Sequence, residues 1–170
     1  MPSAYGKVRF RPMRSNSDTT DRGLTTGEVD MVRGIFGNAI DTTTVRIHRR
    51  KWHPFQSKNT TMAPCGHVHF HPKSPSYCDD FSTASPALQT HFIHEMAHVW
   101  QAQTRGKYWL ILRRHPFCTY SYTLKPDKKL CDYGPEQQAE IIAHAFALRR
   151  GWAIPTQHNP RDYGAVVDFP

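Results

Sequence analysis

A chain of 170 residues with 38% apolar and 21% charged side chains carries enough apolar material for one packed domain and leaves little room for a second. No apolar run approaches the roughly 18–20 residues of a membrane-spanning helix, so no span is expected. The net charge of +8 favours contact with anionic surfaces. Its cations form only short runs, at Arg49, Arg50, Lys51 and at Lys128, Lys129, and no nucleic-acid motif accompanies them, so no nucleic-acid partner is expected.

Residues 1–22 are polar, basic and without period, and read as a flexible N-terminal arm. They lack the apolar middle of a secretory signal, so the chain is expected to be made in the cytoplasm and, if it works elsewhere, to be carried there by another route. The domain proper is expected over 23–152, and a monomer is expected. A helix starts at Thr25, whose spacing to Glu28 is that of a capping box. Val29, Val32, Ile35 and Phe36 share one face of it, and Gly37 is a stop signal. Thr43 to His48 alternates like a half-buried strand. In Gly66 to His71 a second strand would put His67, His69 and His71 on one face, lining a cleft or facing water, with a second metal site the less favoured reading.

Ser85 and Pro86 mark the next helix start, as N-cap and first helical residue. Its apolar residues, among them Phe92, Ile93, Met96, Ala97 and Val99, nearly encircle the axis, which marks a buried helix. Polar groups inside it then need partners. Tyr108 to Leu112 fits helix or strand. Thr119 to Leu124 and Leu130 to Tyr133 read as a hairpin around a Lys-Pro-Asp-Lys turn. A last helix runs from Pro135 to near Arg150, with Gly151 as stop. Residues 153–170 read as an irregular tail. Cys65, Cys78, Cys118 and Cys131 form no C-x-x-C pair, leaving disulfides and free thiols equally open.

The segment His94-Glu95-Met96-Ala97-His98 fits H-E-x-x-H inside a helix. At i and i+4 both imidazoles lie on one face and can reach one metal ion, with Glu95 placed to act as general base. Zinc suits such ligands, although imidazole also serves other transition metals. A catalytic zinc of this type takes three protein ligands and keeps one position open. The remaining carboxylates of suitable spacing are Glu136 and Glu140, one turn apart in Glu-Gln-Gln-Ala-Glu. Glu136 is the preferred third ligand. Glu140 is assigned a hydrogen bond to a ligand histidine and stays open as an alternative ligand. His144 continues the same stripe, as an ordinary polar residue on the favoured reading and as a group supporting a ligand or an alternative ligand on the less favoured one. For oxyanion stabilisation, Tyr133 is the first candidate by position, then Tyr122 and Tyr120.

Three blocks in order, LTTGEVDMVRGIFGNAIDTTTVRIH, FIHEMAHVWQAQ and YSYTL…DYGPEQQAE, resemble the Vgr-related zinc metallopeptidase family. Its domains occur at the C-termini of type VI secretion spike proteins and as separate effectors. The resemblance covers about Leu24 to Arg150. It implies an α+β, zincin-like metallopeptidase domain in which the HExxH helix packs with a Glu-bearing C-terminal helix and a small antiparallel sheet. It implies one catalytic zinc held by His94, His98 and Glu136, with Glu95 as base, and an antibacterial toxin acting in the periplasm of a target cell. Relatives often read EQQAD where this chain has EQQAE, which puts the role of Glu140 in question. The partners implied are peptide or protein substrates, including peptidoglycan peptides, a cognate immunity protein and a secretion spike protein. The alternatives are a non-catalytic zinc-stabilised binding module and a housekeeping cytoplasmic protease.

Overall fold

The computed structural model describes residues 21–109, 119–156 and 158–169. Among the described residues the architecture is α+β, with four helices beside a small sheet. The first twenty residues of the expected arm, most of the ambiguous 108–112 stretch and Cys118 lie outside the described residues. Among the latter, no helix is long and apolar enough to cross a membrane.

The sheet has three strands of two residues each, β1 (Asp21–Arg22), β2 (Ile47–His48) and β3 (Val68–His69). It is mixed rather than antiparallel, since β1 pairs antiparallel with β2 while β2 pairs parallel with β3. The long connection between β2 and β3 allows the chain to return in the same direction. Asp21 and Arg22, the last two residues of the expected arm, are the ones that form β1. The expected strand from Thr43 is shortened because its threonines are used locally. Asp41 Oδ1 accepts from the Thr43 amide at 3.0 Å and its hydroxyl at 2.6 Å, and the Thr44 hydroxyl donates to Asp41 O at 3.0 Å. Side chains that hydrogen-bond nearby backbone in this way favour turns over ladders.

The histidines of the second strand do not form a solvent-facing row. His48 and His69 are register partners and stack with ring centroids 4.4 Å apart, with His67 edge-on to His48 and Trp52 against His69. His69 is 6% exposed. Pairing with β2 draws the imidazole inward.

Helix α1 (Thr26–Phe36) begins with the expected capping box: Thr25 Oγ1 accepts from the Glu28 amide and Glu28 Oε2 from the Thr25 amide. Glu28 does more than cap. Fully buried, it accepts both arms of the Arg22 guanidinium at 2.7 and 2.8 Å and the Phe81 amide at 2.9 Å. It thereby ties β1 and α1 to the 3-10 turn Phe81–Thr83, a bidentate geometry that is among the stronger ion pairs.

Helix α2 (Pro86–Arg105) starts at the predicted Ser85–Pro86 signal and is followed by Gly106 at φ 100°, a conformation that favours glycine. Its Phe92, Ile93, Met96, Ala97 and Val99 are fully buried. Helix α3 (Pro135–Arg149) packs along it and makes the principal helix contact of the fold. The expected hairpin is absent. Leu130–Asp132 is a 3-10 turn, and side chains claim the backbone of 121–125: Gln137 Nε2 donates to Ser121 O, the Leu124 amide to His158 Nε2 and the Lys125 amide to the Tyr133 hydroxyl. The region expected to be an irregular tail carries helix α4 (Pro160–Val166), capped by Asn159 and Asp162. It packs on α3 and buries Tyr163 and Val167. Cys65, Cys78 and Cys131 are free thiols.

Candidate metal centre

Because α2 and α3 lie side by side, the i, i+4 stripe of one helix faces that of the other. His94 and His98 come from mid-α2, and Glu136 and Glu140 from the first two turns of α3. Glu136 Oε2 lies 3.4 Å from His94 Nε2 and 3.2 Å from His98 Nε2. One donor atom from each of His94, His98 and Glu136 falls within 4.8 Å of the others, and all three residues are deeply enclosed.

The protons on these histidines can be assigned from their neighbours. His94 Nδ1 faces Glu140 Oε2 at 3.0 Å; a carboxylate only accepts, so the proton sits on Nδ1. For His98 the assignment runs through two glutamines. Gln138 Nε2 donates to Tyr133 O at 2.6 Å, which leaves Gln138 Oε1 to accept from Gln101 Nε2 at 3.0 Å. Gln101 Nε2 also donates to Pro135 O at 2.9 Å. Gln101 Oε1 is then the atom 2.9 Å from His98 Nδ1, and it accepts that proton. Both Nε2 atoms are left with lone pairs aimed at a carboxylate oxygen. Three lone-pair donors converging in a buried site repel one another unless a cation lies among them, and this donor set suits a divalent transition metal.

Without a metal, a proton fills part of that role. Burial disfavours the charged form of His94, but its bonds to Glu136 and Glu140 outweigh burial and raise its pKa to about 9. The same bonding, from His144 first and His94 second, holds the Glu140 carboxyl at about 2. Glu140 therefore stays ionised and orients His94, while Glu136 is the carboxylate between the two Nε2 atoms.

Glu95 is buried beside these groups and opens onto a cleft of about 480 Å³ that is also bordered by Thr61, His91, His94, Tyr120 and Glu140. His91 Nε2 is 2.8 Å from the Thr61 hydroxyl and 3.9 Å from Glu95 Oε1. A second cleft of about 510 Å³ shares Tyr120 and Glu140 and continues along Tyr122, His144, Thr156 and His158. His144 Nε2 meets Glu140 Oε1 at 3.3 Å, and its Nδ1 meets the Tyr122 hydroxyl, which contacts the Tyr163 hydroxyl at 2.8 Å.

Tyr133 is not brought to the cleft. It is 7% exposed, and its hydroxyl accepts from the Lys125 amide at 3.1 Å and donates to Thr123 O at 3.4 Å. Of the three tyrosines considered, half-exposed Tyr120 is the one beside the centre, its ring stacked 6.1 Å from that of His94. His67, His69 and His71 border neither cleft. Sequence reasoning missed Gln101, Gln138, His91 and Thr61. A signal existed for Gln101 alone, a polar residue one turn after His98 on a helix otherwise read as buried.

No family model matches the chain. It is 36% identical over 155 residues to the type VI secretion system spike protein VgrG2b of Pseudomonas aeruginosa. That alignment covers 88% of this chain and 15% of the spike protein, so the chain spans a small part of that relative's length. The effector domain of Pseudomonas aeruginosa VgrG2b superposes with a TM-score of 0.68 at 34% identity, covering 86% of this chain and 83% of that domain. The chain belongs to the family of the VgrG2b effector domain.

Proposed function

We propose that this domain is a zinc metallopeptidase, an antibacterial effector of a type VI secretion system that acts in the periplasm of a target cell. The observation that carries the reading is the pair of Nε2 atoms on either side of Glu136 Oε2, with each Nδ1 engaged elsewhere, by Glu140 and by Gln101. His94, His98 and Glu136 would hold one zinc, a set of two imidazoles and one carboxylate that leaves a position open. Bound there, zinc supplies Lewis acidity toward the scissile carbonyl and toward water.

The chain's own residues do the rest. Glu95, one residue after a ligand and facing the cleft, takes a proton from the attacking water and returns it to the leaving amine. Glu140 and Gln101 keep both imidazoles in the tautomer that offers Nε2. Tyr120, on the cleft wall, would donate to a developing oxyanion. A zinc that only stabilises a fold takes four protein ligands, whereas the group gathered among the described residues has three. Relationship to a spike-protein effector domain supports delivery by secretion over a cytoplasmic housekeeping role. The substrates are peptides or proteins of the envelope, including the peptide part of peptidoglycan, and the producing cell would need an immunity protein.

The test is Glu95→Gln. The variant is expected to bind one zinc per chain by elemental analysis, to lose hydrolysis of casein-type and peptidoglycan-peptide substrates, and to lose toxicity when exported to the periplasm. Undiminished hydrolysis and toxicity with zinc bound would remove Glu95 as base, and a zinc-loaded unaltered chain that hydrolyses neither class of substrate would remove the peptidase reading.

A further inference from the structure

Residues 42–78 contain six Lys and Arg, five His and no Asp or Glu. In a chain with 14 acidic residues, that gap concentrates positive charge on one region. The structure gathers part of it: Lys51, Lys58 and Lys73, from two separate loops, all act electrostatically on His71 and are exposed. Arg49 lies beside them, its Nε donating to Pro72 O at 3.2 Å. Arg50 is partly neutralised by Asp21 at 3.4 Å.

The loop that carries Lys51 and Lys58 is built, not loose. Gln56, 3% exposed, accepts from the Trp52 amide at 2.7 Å and donates to Thr60 O at 2.8 Å and His69 O at 3.0 Å. Lys51 Nζ closes on Pro54 O at 3.0 Å. This frame holds Phe55 outward at 92% exposure, with Trp52 at 41% beside it. The region thus combines cations with two exposed aromatic side chains that have an apolar surface to bury.

Exposed aromatics on a loop that also carries exposed Lys51 and Lys58 match the interfacial zone of an anionic bilayer. Phe and Trp partition at the headgroup level, and each nearby cation gains from the surface potential. A nucleic-acid groove would instead call for several stacking aromatics along a basic track, whereas this loop exposes Phe55 and a Trp52 whose ring packs against His69. We propose that the 49–60 loop, with Lys73, is a docking surface for anionic phospholipid membranes. The same loop supplies Asn59, Thr60 and Thr61 to the wall of the cleft that holds His94 and Glu95. Docking would therefore hold that cleft close to the bilayer, within reach of proteins and peptides at the membrane surface. The inference stands whether or not the centre hydrolyses peptides.

The full chain is tested by co-sedimentation with vesicles of phosphatidylcholine alone and of phosphatidylcholine with 30% phosphatidylglycerol, at low and high salt. Binding is expected only to the anionic vesicles and is expected to weaken with salt. With roughly a fivefold gain per cation, Lys51→Gln/Lys58→Gln/Lys73→Gln should lower partitioning about 100-fold, and Phe55→Ser about tenfold at unchanged charge. Circular dichroism confirms that the variants stay folded, and an active-site variant, Glu95→Gln, should bind as the unaltered chain does. Failure to bind anionic vesicles, or equal binding by both surface variants, overturns the proposal. Equal loss of vesicle binding to a charge-matched duplex DNA competitor, with Phe55→Ser without effect, overturns it in favour of a general polyanion surface.

Discussion

Gln101 Oε1 lies 2.9 Å from His98 Nδ1, and this one contact decides which nitrogen of His98 faces Glu136. The orientation is handed along a chain in which Tyr133 O fixes Gln138, Gln138 fixes Gln101 and Gln101 fixes His98. The outer members sit on α3 and its N-terminal approach, so the crossing of two helices sets a proton position on one of them.

Gln101→Met keeps most of the volume and removes the acceptor. Zinc affinity, measured by chelator competition, is expected to fall about 10- to 100-fold. Leaving Gln138 and Pro135 O short of a partner should also lower stability by roughly 1–3 kcal/mol. An unchanged zinc dissociation constant would show that His98 does not depend on Gln101 for its tautomer.

Glu136 and Glu140 are expected to separate cleanly. Glu136→Gln should abolish stoichiometric zinc binding, because its carboxylate lies between both Nε2 atoms. Glu140→Gln should retain one zinc per chain at about 10- to 100-fold lower affinity, since it touches the far side of His94. The reverse pattern in metal titrations would make Glu140 the ligand and Glu136 the support.

What could be read in the residues was local. The capping box of Thr25 and Glu28, the Ser85–Pro86 start and the one-turn spacings 94/98 and 136/140 depend on neighbours along one helix, and the structure gathers all four of those spaced residues at one centre. What was missed depends on distant partners. The parallel pairing of β2 with β3 and the inward turn of His69 come from a long connection whose closure no short pattern encodes. The Gln101–Gln138 contact exists only once α2 and α3 are packed. Helix α4 is a different case: Asn159, Pro160 and Asp162 spell a helix start, and only its position in a short tail hid it. Tyr133 illustrates the limit of proximity in sequence, because a residue just before α3 can point its hydroxyl at its own preceding loop.

On the proposed mechanism the oxyanion role falls to Tyr120 rather than Tyr133. Tyr120→Phe should lower kcat about 100-fold with KM and zinc content little changed, the effect of removing one oxyanion donor. Tyr133→Phe should leave kcat within about twofold and lower the melting stability by about 1 kcal/mol through loss of the Lys125 and Thr123 bonds. Steady-state kinetics on a quenched-fluorescence peptide, paired with thermal melts, reads both. A kcat loss confined to Tyr133→Phe would return the oxyanion role to that residue.

The sheet should make the fold acid-sensitive. Burial first, and then His48 and Arg50, lower the His69 pKa from an ordinary 6.5 to about 4. Between these values the unfolded chain binds a proton that the folded chain refuses. Stability is therefore fully present above about pH 6.5 and is lost as pH falls toward 4. With part of the ring's interaction screened by solvent, this amounts to about 1–2 kcal/mol. His69→Gln removes the titrating group while leaving a polar side chain beside His48 and Trp52. Denaturant unfolding of the metal-free protein at pH 7.5 and pH 4.5 should show a smaller acid-induced loss in the variant. An identical loss in both proteins would place the acid sensitivity elsewhere, in the carboxylates whose protonation also favours unfolding.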